Sequence, residues 1–297
     1  MSKKTHQPPL NIEDQIKNLQ SLGLLIPDEE CAKGLLNDIS YFRLIKGYSH
    51  GLKPKNGNYS KGVSFDDIVE LYLFDSNLRQ LLFPLIERVE VNLRCRVANY
   101  FSEVYGIFGY KDKSNFTDPD YHRELYYDIE DELIRNRKSP FVKNFSVNYD
   151  VEDLPFYALT ELFSFGSLSK LYKNMKNPDK KNISTMYNIG YTYLESWFES
   201  LSYVRNVCAH YGRLYNSHFT KTPILYKQYY EMGIGNNRVF ASLLCIKQLL
   251  PRDRHWDELV DAVEVLLKKY PKVEKNKMGF ISTWKDVLLL ENLSSIL

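Results

Sequence analysis

The 297-residue chain sets 39 Lys and Arg against 37 Asp and Glu, a formal net charge of +2, so no global field recruits a polyanion and such a partner would need a local patch. With 44% hydrophobic and 26% charged residues it has the makeup of a globular protein long enough to bury a core without covalent staples. Four scattered cysteines, Cys31, Cys95, Cys208 and Cys245, form no CxxC pair, which argues against a zinc site or a disulfide framework and predicts a reducing cytoplasm. The opening "MSKKTHQPPLNIEDQ" lacks the apolar stretch of a signal peptide, and no run approaches the roughly 18 apolar residues of a membrane span.

Residues 1–10 are polar, hold two prolines and read as a loose arm. "NIEDQIKNLQSLGLLI" places Ile12, Ile16, Leu19 and Leu22 at helical spacing behind Asn11 as N-cap. "DEECAKGLLNDISYFRLIKGY" reads as a second helix ending near Gly47, and "GLKPKNGNYSKGVSF" as a loop or hairpin, since Gly, Pro, Asn and Lys break any period. Ser64, with Asp66 and Asp67 behind it, opens the longest helical stretch, in which Pro84 is expected to end or kink the helix. A further helix then carries Ile86, Val89, Val91, Leu93, Val97 and Phe101.

Residues 111–120 read as a loop and "YHRELYYDIEDELIRNR" as a charged, exposed helix. "LPFYALTELFSFGSLSKLYKNM" shows a Pro start, a Gly interruption and a helix after Ser167; "NPDKKNIS" reads as a loop. Leu194, Trp197, Phe198, Leu201 and Val204 recur at three and four through "YTYLESWFESLSYVRNVCAHYG", with Gly212 as the C-terminal break. Two more helices are expected near 237–250 and 255–270, then a tail around Trp284. Strand-like alternation is scarce, so the predicted class is all-α, with an N-terminal helical extension over 1–63 and a helical core with C-terminal helices over 64–297.

Arg205, Asn206 and His210 fall within six residues near the end of one of these helices. Asn206 and His210 are four apart and share a face, whereas Arg205 and His210 lie about 140° apart around the axis. They can act together through the reach of arginine or through a second chain, which predicts a groove or a dimer seam. The set suits metal-independent RNA cleavage. Histidine can take the proton of a 2′-OH, arginine can clamp the phosphate, and asparagine can orient the imidazole or bind a phosphate oxygen. The bare R-x4-H pattern is weak, since 13 arginines and 6 histidines give about 0.3 matches by chance, and on its own it reads equally as a capping His and a salt-bridged Arg near a helix end. A second match, Arg213 to His218, is present.

Four ordered elements add context: "YFRLIKGY" from Tyr41, "LYLFDSNLRQLLFPLIERVEVNLRCRV", "LPFYALTELFSFGSLSKLY" and "WFESLSYVRNVCAHYGRLYN". Together, across residues 41–216, they resemble the abortive-infection (Abi, AbiD/AbiF-like) proteins of bacteria, within the HEPN ribonuclease superfamily. One extra residue precedes Gly47 in the first element. The resemblance implies a HEPN-type helical bundle, a homodimer with its cleft between paired helices, no cofactor, metal-independent RNA cleavage in phage defence, and Arg205, Asn206 and His210 as the active-site set. It also implies that RNA can be regulator as well as substrate, because some relatives are paired with a small non-coding RNA. Some HEPN toxins carry, two positions after the histidine, a tyrosine modified by an antitoxin. Here that position is Gly212, beside Tyr211, so an antitoxin of that kind is not implied.

Other residues carry two readings each. Glu87, Glu90 and Arg94 read either as an internal ion-pair network or as a carboxylate support that orients Arg205. Asp75 and Arg79 read as structural. Lys170 and Lys173, with Lys176, Lys180 and Lys181 nearby, form either a solvated face or a phosphate-tracking patch, and "GLKPKNGNYSKG" is a similar candidate. Tyr211 could stack an unpaired base. The competing reading of the whole chain is a catalytically silent helical module that binds RNA or a protein partner in the same groove.

Overall fold

The computed structural model describes residues 8–53, 57–149, 154–250 and 254–290. Most of the expected arm, residues 1–7, and Pro54, Lys55 and Asn56 of the expected loop lie outside them. Among the described residues the fold is all-α, and extended pairing is limited to isolated bridges. The chain forms two compact units, Met1–Leu78 with Val263–Glu274, and Arg79–Ala262 with Lys275–Leu297. The border at Leu78 falls inside a helix and not at the residue-63 loop, because that helix supplies apolar side chains to both units.

In the first unit, α1 (Ile12–Ser21) starts as its sequence dictates: Asn11 accepts from the Asp14 amide at 2.8 Å, and Ile16 and Leu19 are buried. Asp28 caps α2 (Glu29–Ile39) by accepting from the Cys31 amide. The expected run of this helix to Gly47 does not occur. At Ser40 the backbone turns to φ 65° and ψ 144°, and Phe42–Lys46 form a π-helical turn. The break re-aims the chain so that Leu44, Ile45 and Tyr48 are all buried, which one straight helix would not achieve together with Ala32 and Leu36. The Tyr48 hydroxyl donates to the fully buried Asp75 at 2.6 Å. The loop before Ser64 closes on Leu25 as a parallel bridge instead of a hairpin.

Ser64 and Asp67 exchange backbone-to-side-chain hydrogen bonds at 2.9 and 3.3 Å, a capping box that starts α3 (Phe65–Tyr105). Pro84 does not end the helix: α3 continues through it and is 41 residues long in all. Proline removes one amide donor and crowds one turn. The buried stripe of Leu82, Ile86, Val89 and Leu93 secures the turns on both sides, and tertiary packing outweighs the local defect.

The second unit contains α4 (Pro119–Asn136), α5 (Pro140–Asn148), α6 (Phe156–Leu159), α7 (Phe165–Asn174), α8 (Asn177–Thr185), α9 (Tyr191–Ala209), α10 (Lys227–Glu231) and α11 (Val239–Leu249). It also holds the first turns of α12 (Arg254–Lys269), whose last turns belong to the first unit, and α13 (Trp284–Leu289). Helix α9 is the hub: α7, α8 and α11 pack on it, and α4 packs on α7. Helix α4 is not merely exposed, since His122, Leu125 and Ile129 form a buried stripe. The expected loop "NPDKKNIS" is α8; its short sequence hides the helical period, but Ile183 is buried and Asp179 accepts from the hydroxyls of Tyr100 and Tyr105 at 3.0 and 2.7 Å. Helix α7 starts before Ser167, because Ser164 caps it by accepting from the Ser167 amide.

Candidate functional site

The end of α9 is defined by backbone chemistry. His210 is the C-cap, Tyr211 has a φ of 58°, and Gly212 follows. The Gly212 amide donates to the Val207 carbonyl at 2.7 Å and the Tyr211 amide to the Cys208 carbonyl at 3.2 Å. These two bonds are a Schellman motif, with tyrosine where glycine is usual. The glycine is required one residue later: a Cβ on Gly212 would lie 2.9 Å from Val207 Cγ1 and 3.1 Å from the Val207 carbonyl oxygen. Arg79 Nη1, from α3, donates to the Gly212 carbonyl at 3.0 Å and fixes the turn from outside. The result presents His210 and Tyr211 to solvent, Tyr211 at 69% exposure.

Arg205 turns away from His210, as the 140° separation requires, and meets α3. Glu90 takes Arg94 Nη2 at 2.7 Å on one carboxylate oxygen and Arg205 Nε at 3.5 Å on the other. Arg94 also donates to the Thr160 carbonyl. Both Glu90 and Arg94 are buried, so this is an ion-pair network, and it also holds Arg205. The two readings of Glu90 are therefore geometrically one. Arg205 remains half-buried and donates through Nη1 to Asn206 Oδ1 at 3.3 Å, which leaves Asn206 Nδ2 as an outward donor. Glu87 stands exposed, away from this network.

A groove of about 740 Å³ runs along the face of α9 that carries Thr192, Glu195, Glu199, Tyr203 and Asn206, with Tyr121, Lys170 and Lys173 opposite. The sequence-predicted Lys170 and Lys173 thus share a groove with Asn206, while Arg205 and His210 do not line it. Its charges are of both signs. Lys170 faces Asp128 at 3.5 Å, Lys221 bonds Glu199 at 2.5 Å, and Lys173 lies 5.8 Å from the Tyr121 ring centroid. The hydrogen bond from Lys221 to Glu199 raises the Lys221 pKa. Lys180 is buried and pairs with Glu195 at 2.8 Å, so it belongs to neither a solvated face nor a phosphate track. Of the acidic lining residues, Glu195 and Glu199 are four apart on α9, and Glu124 comes from α4.

The second R-x4-H match is built differently. Arg213 Nε donates to Ser217 Oγ at 3.2 Å. Both nitrogens of His218 are engaged, Nδ1 with Asn237 at 3.1 Å and Nε2 with Arg238 Nη2 at 2.7 Å. A guanidinium can only donate, so Nε2 must be the acceptor. Arg238 also donates to the carbonyls of Ser217 and Lys277, and burial together with nearby Arg213 lowers its pKa. Among the described residues no group of His, Cys, Asp and Glu is arranged as a metal-ligand set, and no helix is long and apolar enough to cross a membrane.

No curated protein and no solved structure matches the chain. A family model described as Abi-like protein matches residues 34–216, a span that takes in α3, α7 and the whole of α9 with its terminal turn. That match covers well over half of the 297 residues, and it contains all four sequence elements between Tyr41 and Asn216; the chain belongs to the Abi-like protein family.

Proposed function

We propose that this Abi-like protein is a metal-independent endoribonuclease of the HEPN type, acting on RNA in the bacterial cytoplasm during abortive infection, with Arg205, Asn206 and His210 as its active-site set. The observation that carries this reading is the division of labour at the end of α9. Arg205 is held by Glu90 yet half-exposed, whereas His210 is exposed at the cap of the same helix. A positioned cation and an accessible imidazole are what cleavage through the 2′-OH needs. The His210 imidazole takes the proton of a ribose 2′-OH, and that oxygen attacks the adjacent phosphorus. The P–O5′ bond breaks, and the imidazolium so formed gives its proton to the leaving oxygen, which departs as a 5′-hydroxyl. Arg205 stabilises the extra negative charge on the phosphoryl oxygens, and Asn206 Nδ2 donates to one of them.

Because Arg205 and His210 diverge, a second copy of the chain supplies the opposite half of the site, and the active form is a homodimer. The test is incubation of purified protein with total RNA in EDTA, with mapping of the cut ends. The expected products end in 2′,3′-cyclic phosphate and 5′-hydroxyl, and light scattering shows a dimer at micromolar protein. Abolition of cleavage by EDTA, or a strict monomer with and without RNA, would overturn the respective parts. Binding without cleavage would favour the silent RNA- or partner-binding module.

A further inference from the structure

The first unit carries a concavity of about 360 Å³ around the π-helical turn, far from α9 in sequence. Its lining includes Tyr41, Lys46, Ser49, His50 and Lys53, and no acidic residue. Lys46 is exposed and Lys53 half-buried. Among the described residues neither lysine has a carboxylate partner. Lys46 Nζ lies 6.0 Å from the Tyr41 ring centroid and Lys53 Nζ 4.2 Å from that of Tyr59. The Tyr59 hydroxyl is tied to Ser49 Oγ at 2.8 Å, which fixes the aromatic floor under Lys53. Burial, and after it the charge of Lys46, pushes the Lys53 pKa down. Other lysines also lie against aromatic rings, among them Lys173, Lys176 and Lys269. Here two are held together against aromatic faces, at an electrostatic cost that an anion would offset.

The backbone at this place is also unusual. Ser40 has a φ of 65° and a ψ of 144°, a region that a residue with a Cβ occupies only under strain, and a π turn follows at once.

We propose that the concavity lined by Tyr41, Lys46, Ser49, His50 and Lys53 is a phosphate-binding site, taking the phosphates of a nucleotide or of a single RNA strand. The lysines supply charge, the Ser49 hydroxyl a neutral donor, and the exposed edge of Tyr41 a surface for a base or ribose. The site shares no residue with the α9 constellation and stands whether or not the protein cleaves RNA.

The test uses the full chain and two probes. One is a fluorescein-labelled oligouridylate with 2′-O-methyl riboses, which offers no attacking hydroxyl and cannot be cut by the proposed reaction. The other is adenosine 5′-monophosphate, followed by calorimetry. For a strand, Lys46→Ala/Lys53→Ala weakens oligouridylate binding roughly tenfold. The slope of log K against log salt also flattens, by about 0.7 for each phosphate no longer neutralised. For a free nucleotide, the same variant fails to bind the monophosphate. Lys46→Arg/Lys53→Arg retains binding in either case, and the exposed Lys46→Glu repeats the loss without disturbing the Tyr59 ring beneath Lys53. If the wild-type protein binds neither probe, or the folded alanine variant binds both as the wild type does, the proposal is wrong.

Discussion

The two R-x4-H segments have the same spacing and opposite structures. Arg205 and His210 belong to one helix and its cap, with the arginine drawn toward Glu90 and the imidazole left accessible. Arg213 and His218 follow the turn at Gly212, and there the imidazole is bonded on both nitrogens, to Asn237 and Arg238. A five-residue spacing has a fixed meaning only on continuous helix. Beyond the Schellman turn, tertiary partners set the geometry, and they use His218 to tie the chain to the segment before α11.

The largest expected difference is in activity. His210→Ala should lower RNA cleavage by about 10²–10⁴, whereas His218→Ala should leave the rate intact and lower stability by about 1 kcal/mol through the hydrogen bonds it removes. A folded His210→Ala protein that cuts at the wild-type rate sinks the assignment; a dead His218→Ala protein alone would exchange the two segments.

Next is the support beneath Arg205. Glu90→Ala strands the buried Arg94 and should cost about 3 kcal/mol in urea unfolding, with a loss of cleavage as Arg205 swings free. Glu87→Ala, at an exposed position one turn away, should change stability by about 0.5 kcal/mol or less. Equal effects of the two would show that Glu90 holds nothing in place.

The turn that divides the two segments can be tested directly. Gly212→Ala forces a Cβ against Val207 and should destabilise by about 1–3 kcal/mol, read as a drop in Tm. A neutral result would mean that the turn relaxes and does not fix His210. The smallest effect is at Tyr211, where glycine would relieve the positive φ. Tyr211→Gly should raise stability by up to about 1 kcal/mol while weakening RNA binding, if the exposed ring stacks a base. Unchanged RNA affinity would remove Tyr211 from the binding surface.

Much of the fold was legible because its signals are local. The Asn11 cap, the Ser64–Asp67 box and the three-four recurrence of Leu194, Trp197, Phe198, Leu201 and Val204 each act within a few turns of helix, and each appears where its residues predict. The start of α5 carries signals as plain, Ser139 as cap and Pro140 at its first position, but the helix has no strong apolar face to announce its period. Pro84 shows the reverse case, a strong local signal for a helix end overruled by buried neighbours on both sides.

The sequence by itself determined the all-α class, the placement of Arg205 and Asn206 on one helix with His210 at its end, and the divergence of the first and last, because a helix converts spacing into angle without outside help. Only the tertiary structure decided that Glu90 reaches Arg205 as well as Arg94, that His218 is tied by Arg238, that acidic residues share the groove with Lys170 and Lys173, and that Lys46 and Lys53 meet with no carboxylate partner among the described residues. Those are meetings between segments far apart in the chain or across a bend. Which side chains come together there depends on packing energies summed over the whole fold, and these leave no period in the sequence.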